Sequence, residues 1–438
     1  MKIAILGFAG QGQSAYEYWN TPENELTICD LSPDIAVPEG VHIKLGEDYL
    51  KDLAGFDRLV RTPAIHPKDI QAANPEAPGI LDKVTSVTNE FFRVSPSKNI
   101  IGVTGTKGKG TTSTLITSIL EADGKTVHLG GNIGIPPLDL LKNNIQPDDW
   151  VVLELANFQL IDINYSPHIA VCLLIEPEHL NWHEDMDEYV NVKQRLFAHQ
   201  TAEDIAIFYG PNPYSQHAAS ISLGKQIPFM DGVGCTVEHD KVVINNQEIC
   251  DVSDIKLLGK HNWQNVCAAV TAAWQVTQDI PAIKKAISSF VGLPHRLEPV
   301  REVDGVMYYN DSFSSAPTAA SAALDTITNP KVLIVGGFDR GLDLGDLVLD
   351  ITEHADDIRK LLLVGNAAGR IAQTLAEADF HNYEVVEAQT MEDIVARARE
   401  VAQNGDAVIL SPGFPSFDMF KNFEERGIQY KSAVNGLE

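Results

Sequence analysis

The chain is short of positive charge, of paired cysteines and of long apolar runs, and each shortage closes off a class of function. Lys and Arg number 33 against 60 Asp and Glu, a formal net charge of −27 over 438 residues. So acidic a surface repels nucleic acid and anionic membranes, so no nucleic-acid partner is expected, and an anionic substrate must be drawn in by a local group of basic residues. The five cysteines (Cys29, Cys172, Cys235, Cys250 and Cys267) are odd in number, widely spaced and without a C-x-x-C pair. That argues against both a disulfide framework and a zinc site. Cys29 and Cys172 lie in apolar runs and read as buried thiols. No apolar stretch reaches the roughly 18 residues needed to cross a bilayer. The N-terminal Met-Lys-Ile-Ala-Ile-Leu-Gly enters a strand at once, with no leader pattern. A cytoplasmic monomer without membrane insertion is expected. There is no low-complexity tract and no repeat at solenoid period.

What is present is a glycine-rich turn, Val103-Thr-Gly105-Thr106-Lys-Gly108-Lys109-Gly110-Thr111-Thr112. Asn99 to Val103 ahead of it reads as a short buried strand. Ser113 to Ala122, apolar at Leu115, Ile116, Ile119 and Leu120, reads as an amphipathic helix. Such a turn aims backbone N–H groups and a helix dipole at one point, and Lys109 adds a full positive charge. It is a cradle for the phosphates of a nucleoside triphosphate. The usual G-x-x-x-x-G-K-[ST] pattern is met imperfectly, because Val103 stands where the first glycine belongs and Gly110 where the hydroxyl residue belongs.

The length implies two to three domains. Residues 1–92 open with strand Lys2–Leu6, the turn Gly7-Phe-Ala-Gly10-Gln11-Gly12 and a helix. A second strand, Leu26–Cys29, then ends at Asp30. This is a dinucleotide-fold fingerprint with altered glycine spacing, G-x-x-G-x-G, and taken alone it fits a nicotinamide, a flavin, another nucleotide or no ligand. Val60 to Pro63 reads as a later strand end of that sheet. Residues 93–297 carry the phosphate turn and strands at Thr126–Leu129, Trp150–Leu155, Ile169–Ile175 and Ile205–Tyr209, alternating with helices. Residues 298–438 repeat the pattern with strands Val332–Val335, Lys360–Val364, Tyr383–Val386 and Ala407–Leu410 and a helix over Met391–Gln403. The expected fold class is α/β: an N-terminal Rossmann-like domain, a central ATP-binding domain on a parallel sheet, and a C-terminal Rossmann-like domain.

A triphosphate needs magnesium, which takes oxygen ligands beside the phosphates. Glu154 ends the strand Val151-Val-Leu-Glu154-Leu, and Asn132 lies in the strand-end loop Gly130-Gly-Asn132-Ile-Gly134. Glu176-Pro-Glu178-His179-Leu-Asn-Trp-His183 follows another buried strand. Each could be merely structural, but polar groups at successive strand ends of one sheet point together to metal and phosphate chemistry.

These stretches resemble the Mur ligases, ATP-dependent amino-acid ligases that build the peptide stem of bacterial peptidoglycan. The resemblance rests on Thr104-Gly105-Thr-Lys-Gly108-Lys109, Gly131-Asn132-Ile-Gly134, Glu154-Leu-Ala-Asn-Phe158-Gln159-Leu160 and Glu178-His179-Leu. It continues through Glu188-Tyr189-Val-Asn-Val-Lys193, Gly259-Lys-His261-Asn262-Trp-Gln-Asn265 and Gly292-Leu-Pro294-His295-Arg296-Leu-Glu298. The final block, Ser411-Pro-Gly-Phe-Pro-Ser416-Phe-Asp-Met-Phe-Lys421-Asn-Phe423-Glu-Glu-Arg426-Gly427, looks like that of the glutamate-adding branch.

The resemblance implies roles. Gly10, Gln11, Asp30 and Asn132 would bind the nucleotide-sugar substrate, UDP-MurNAc-L-Ala. Gly105, Thr106, Gly108, Lys109, Gly110, Thr111, Asn262, Asn265, Arg296 and Asp311 would hold ATP. Two magnesium ions would lie among Thr111, Glu154, His179 and a carbamylated Lys193, so that Lys109, His179 and Lys193 serve catalysis. Read from its own helix, Lys193 would be a solvated lysine, and its metal role comes from the resemblance alone. Ser315, Arg340, Ser416, Lys421 and Phe423 would receive glutamate. The implied reaction passes through an acyl phosphate, which glutamate's amine attacks.

The third-domain stretch departs from the family pattern Asn-Asp-Ser-Lys-Ala-Thr-Asn. Here it reads Asn310-Asp311-Ser312-Phe313-Ser314-Ser315-Ala316-Pro317, with Phe313 in the lysine's place. A buried dicarboxylate without a cation is costly. Arg340 or Lys421 therefore supplies the charge, or the amino acid differs, and both D- and L-glutamate stay open. Gly110 resembles the folylpolyglutamate synthases at that one position, but those enzymes lack a first domain of this kind.

Overall fold

The computed structural model describes residues 1–132 and 134–438. Ile133, in the Gly-Asn-Ile-Gly stretch, lies outside them. The chain forms two compact units, one of Met1–Ile255 with Lys260–Phe290, the other of Lys256–Gly259 with Val291–Glu438.

The first unit holds three sheets. The N-terminal sheet contains β1 (Lys2–Leu6), β2 (Glu25–Asp30), β3 (His42–Leu45), β4 (Arg58–Arg61) and β5 (Val84–Thr85) in the order 3-2-1-4-5. All its pairings are parallel, as in a dinucleotide-binding half. The central sheet contains β6 (Ile100–Thr104), β7 (Val127–Gly131), β8 (Trp150–Glu154), β9 (Ile169–Cys172), β10 (Ile205–Tyr209) and β11 (Lys225–Phe229) in the order 11-10-9-6-8-7. It too is parallel throughout. Its strands are near-continuous apolar runs because helices cover both faces; β6 and β9 are buried at every position. A small antiparallel sheet of β12 (Thr236–Glu238), β13 (Lys241–Ile244) and β14 (Gln247–Asp251) was not expected from the sequence.

The first two sheets share one hydrophobic cluster, which runs from Ile3, Ile5 and Val60 through Phe91 and Phe92 to Val151, Leu153 and Ala170. Arg61, buried at the end of β4, crosses between them. It donates to both oxygens of Asp162 at 2.7 and 2.9 Å and to the carbonyls of Thr62, Ile65 and Phe158 at 2.9–3.1 Å, so every guanidinium nitrogen is engaged.

The second unit is built on β15 (Glu298–Val303), β16 (Val306–Asn310), β17 (Lys331–Gly336), β18 (Ile358–Val364), β19 (Tyr383–Val385) and β20 (Ala407–Leu410), in the order 15-16-20-17-18-19. Only the β15–β16 pairing is antiparallel. Separate apolar clusters lie on the two faces, one around Leu333, Leu361 and Ile409, the other around Ile334, Leu362 and Val408. Several helices begin at a side-chain cap. Asp185 accepts from Glu188 N at 2.8 Å, Asn422 from Glu425 N at 2.8 Å, and Thr390 from Asp393 N at 3.2 Å.

Candidate active site

The phosphate turn leaves β6 and enters the helix Lys109–Ala122, capped by Gly108 in the left-handed region at φ 85°. A side chain at Gly108 would put its Cβ 2.1 Å from Asn265 Oδ1, so the second helix of the cradle, His261–Trp274, closes directly onto the turn. Asn265 Nδ2 in turn donates to Asn262 Oδ1 at 2.8 Å. Gly105, at φ 147°, sits against Leu173, leaving no room for a Cβ. Gly110 and Thr111 occupy the buried first turn, where backbone N–H groups have no helical acceptor and face any ligand at the helix start. Thr106 locks the turn to the loop after β9. Its Oγ1 accepts from Glu176 N at 3.0 Å and lies 3.0 Å from Tyr189 Oη.

Two lysines reach one carbonyl. Lys109 Nζ donates to Gly105 O at 3.1 Å and Thr106 O at 2.8 Å, and Lys193 Nζ donates to Gly105 O at 2.9 Å. The reading of Lys193 as a solvated helix lysine is therefore overturned. It is fully buried, with its ammonium 4.3 Å from the centre of the Tyr189 ring. Burial, reinforced by the charge of Lys109, drives its pKa down to about 7. His179 is likewise held below the usual imidazole range, first by burial and then by Lys109 and Lys193, with Glu178 opposing. Lys109 thus brings positive charge to a small region in which the protonated forms of Lys193 and His179 are disfavoured.

Glu154, buried at the end of β8, accepts from Asn132 Nδ2 at 2.8 Å, and Asn132 N donates to Glu154 O at 2.8 Å. Asn132, expected at the nucleotide-sugar substrate, therefore stands at the carboxylate proposed for metal. Gly131 makes this approach possible, since a Cβ there would lie 2.1 Å from Glu154 O. Among the described residues, no three His, Cys, Asp or Glu side chains gather as a metal site. A dispersed set of one carboxylate, one hydroxyl, one imidazole and a near-neutral buried amine fits magnesium, which keeps waters and takes phosphate oxygens for its remaining positions. The amine fits carbamylation because only an unprotonated lysine adds carbon dioxide.

In the N-terminal sheet, Asp30 accepts from Phe8 N at 2.7 Å and Ser32 N at 2.9 Å, so it closes the strand-end loop. Gly12 is pressed to 2.1 Å (as a Cβ) from Gly7 O, whereas Gly10 faces open space at the start of its helix. Gln11 Oε1 is buried without a hydrogen-bond partner among the described residues.

In the second unit, Asp311 accepts from Ser411 Oγ at 2.6 Å and Leu297 N at 3.0 Å, and burial pushes its carboxyl up to about 7. Phe313 is exposed, edge-on to Phe423 at 5.2 Å between ring centres, with the Arg296 guanidinium 5.8 Å above it. Ser416 is buried; Ser315, Arg340 and Lys421 are exposed, and the Arg340 guanidinium is 5.8 Å from the Phe417 ring centre. Arg426, present in the final family block, was given no role from the sequence. It is buried and donates to Ser312 Oγ, Ser312 O and Phe414 O at 2.8–3.0 Å, and burial brings its pKa down to about 10. It ties the loop after β16 to the loop after β20.

Sequence comparison places the Mur ligase middle domain over residues 103–273 and the Mur ligase glutamate ligase domain over residues 295–414. A UDP-N-acetylmuramoylalanine--D-glutamate ligase of Clostridium kluyveri is 36% identical, covering 91% of this chain and 87% of its own. A protein of the same name from Acetivibrio thermocellus is 36% identical, covering 100% and 97%. Among solved structures, a MurF ligase of Thermotoga maritima in complex with ADP superposes with a TM-score of 0.60 at 17% identity over 99% of this chain and 94% of its own. UDP-N-acetylmuramate-alanine ligase MurC of Thermotoga maritima gives 0.59 at 14% identity over 99% of both. These two share the fold.

Proposed function

The chain belongs to the Mur ligase family, and we propose that it joins D-glutamate to the alanyl carboxylate of UDP-MurNAc-L-Ala, with ATP as co-substrate, in peptidoglycan precursor synthesis. The observation that carries this reading is the meeting of Lys109 and Lys193 on the carbonyl of Gly105, within the electrostatic reach of His179. The names of the relatives support the choice of D-glutamate.

In this reading residues 1–92 hold the nucleotide sugar, 93–297 ATP, and 298–438 the amino acid. Gln11 Oε1 is an acceptor, so its partner is an N–H or O–H of the uridine; a pyrophosphate oxygen could not donate to it. The first-turn N–H groups and Lys109 grip the β- and γ-phosphates. The alanyl carboxylate oxygen attacks the γ-phosphorus in line, the bond to the ADP oxygen breaks, and Lys109 offsets charge on the transferred phosphoryl. The amine of glutamate then attacks the acyl carbon, gives up a proton, and phosphate leaves. Magnesium, as two ions, would be held by Thr111, Glu154, His179 and carbamylated Lys193, supplying charge neutralisation at phosphate oxygens.

The test is phosphate release from ATP with UDP-MurNAc-L-Ala, offering D-glutamate, L-glutamate and D-aspartate separately. Release with D-glutamate is expected; release with L-glutamate alone would reverse the stereochemical assignment, and none with any would remove the function. Phe313 leaves the glutamate carboxylates needing another cation, and we assign Arg340. Arg340→Ala should raise the KM for glutamate about 10- to 100-fold, the worth of one hydrogen bond to a charged group, with the KM for the nucleotide sugar unchanged. An unchanged glutamate KM would exclude it.

A further inference from the structure

His179 reaches the phosphate region from a strained turn. Its φ of 57° is in the left-handed region, unusual for a side chain with a Cβ. Trp182 N and His183 N both donate to its carbonyl at 3.0 Å, closing the turn around it. The imidazole gains little orientation from its nearest carboxylate, because Glu178 Oε2 stands 3.8 Å from Nε2, beyond hydrogen-bond range. Rings surround it. Phe158 lies 4.9 Å from His179 between centres, Trp182 lies 4.8 Å from Phe158 edge-on, and His66 lies 4.4 Å from Trp182.

Two members of this row, His66 and Phe158, are tied to the N-terminal sheet. His66 is buried and caps the helix Pro67–Ala73, accepting from Lys68 N at 3.0 Å, just beyond the end of β4. Lys68 pairs with Glu184 at 2.6 Å and Glu188 at 2.8 Å, pinning the segment that follows Trp182. Arg61, from β4, donates to the carbonyl of Phe158 at 3.0 Å.

We propose that Trp182, with Phe158, is a positioning residue: it holds the His179 imidazole in its metal-binding orientation and links that orientation to the end of β4, on the sheet assigned to the nucleotide sugar. The proposal rests on the metal role of His179 given above. Aromatic contacts replace the hydrogen bond that usually orients a metal-bound histidine. A flat ring at position 182 fills the space between Phe158 and His66 on two faces. An aliphatic side chain of similar bulk fills it without fixing the tilt of Phe158.

The test is a Mn2+ titration followed by electron paramagnetic resonance, on the full chain with ADP, comparing wild type, Trp182→Phe and Trp182→Leu. Both variants keep an apolar side chain at a half-buried position, and circular dichroism would confirm their fold. Loss of a group that orients a ligand weakens metal binding by about 10- to 100-fold, so Trp182→Leu should shift a Mn2+ binding step to higher concentration by that factor. Trp182→Phe should stay within about threefold of wild type, and the KM for UDP-MurNAc-L-Ala should be unchanged in both. A Trp182→Leu titration that superposes on wild type would overturn the positioning role while leaving the ligase reading intact. Equal weakening by both variants would also overturn it, because the ring would then not matter. No Mn2+ binding by wild type would remove the metal reading and this inference together.

Discussion

Lys109→Ala should lower ATP-dependent phosphate release by about a thousandfold, the upper range for removing one group that stabilises transition-state charge. Of the two lysines on the phosphate turn, Lys107 pairs with Glu176 at 2.8 Å, while the Lys109 ammonium is folded back into the cradle on Gly105 O and Thr106 O. Alanine keeps the helix start, because Gly108 sets that geometry and the first-turn N–H groups come from the backbone. ATP would therefore still dock, while the γ-phosphoryl would lose its main counter-charge. Calorimetric binding of UDP-MurNAc-L-Ala should survive, since that ligand is assigned to residues 1–92. Loss of both binding and turnover would contradict the domain assignment.

Lys193→Met should show activity and stability moving in opposite directions. Turnover should fall about 100-fold or more, the scale of one lost electrostatic group at the reacting phosphates. Stability should rise below pH 7, for a reason contained in the protonation balance. The pKa is about 7 in the folded chain against an ordinary 10.5. Between those values the unfolded chain holds the extra proton, so the lysine's contribution to stability grows as pH rises through that window. Below pH 7 both states are protonated and the full penalty of a buried cation remains, which methionine removes. Thermal unfolding at pH 6 and pH 9 checks the sign. Carbon-13 NMR after incubation with labelled bicarbonate checks the chemistry: wild type should show a carbamate signal and the variant none. A wild-type spectrum without that signal would exclude carbamylation.

Strands made of apolar runs between polar or glycine boundaries were legible; β1, β10 and β20 coincide with the expected residues. The strand expected over Ile169–Ile175 stops at Cys172 because the next residues turn to meet the phosphate loop, where Thr106 N donates to Leu174 O at 2.8 Å. That is a tertiary demand which no local pattern records. The sheet β12–β14 was missed because β12 and β14 are not apolar runs: Thr236, Glu238, Gln247, Glu248 and Asp251 are polar. Its turn signals were nevertheless present: Asn245 and Asn246 take φ of 50° and 60°, and His239 and Asp240 take 49° and 60°, all in the left-handed region of tight hairpin turns.

The site was legible through its motifs, while its two buried cations were not recognised as buried. Both follow helical spacing. Lys193 lies four residues after buried Tyr189, and Arg426 four residues before buried Tyr430, on the faces turned to the core. For Lys193 the charge argued for solvent, and the periodicity was the better guide.

The core that runs unbroken from Ile3 to Ala170, and the arginine bolted across it, bear on how this chain can be divided. A cut near residue 95 would leave each half with a bare apolar face and strand Asp162 from Arg61, so the first ninety residues are a sheet that borrows its neighbour's interior. The segment from Val291 on, by contrast, carries both of its own apolar layers, with only Leu258 added from before it. Evolutionary exchange of parts should therefore be easiest for residues 291–438, where a new C-terminal piece can arrive already folded. Residues 1–92 can change only together with the central sheet whose core they share.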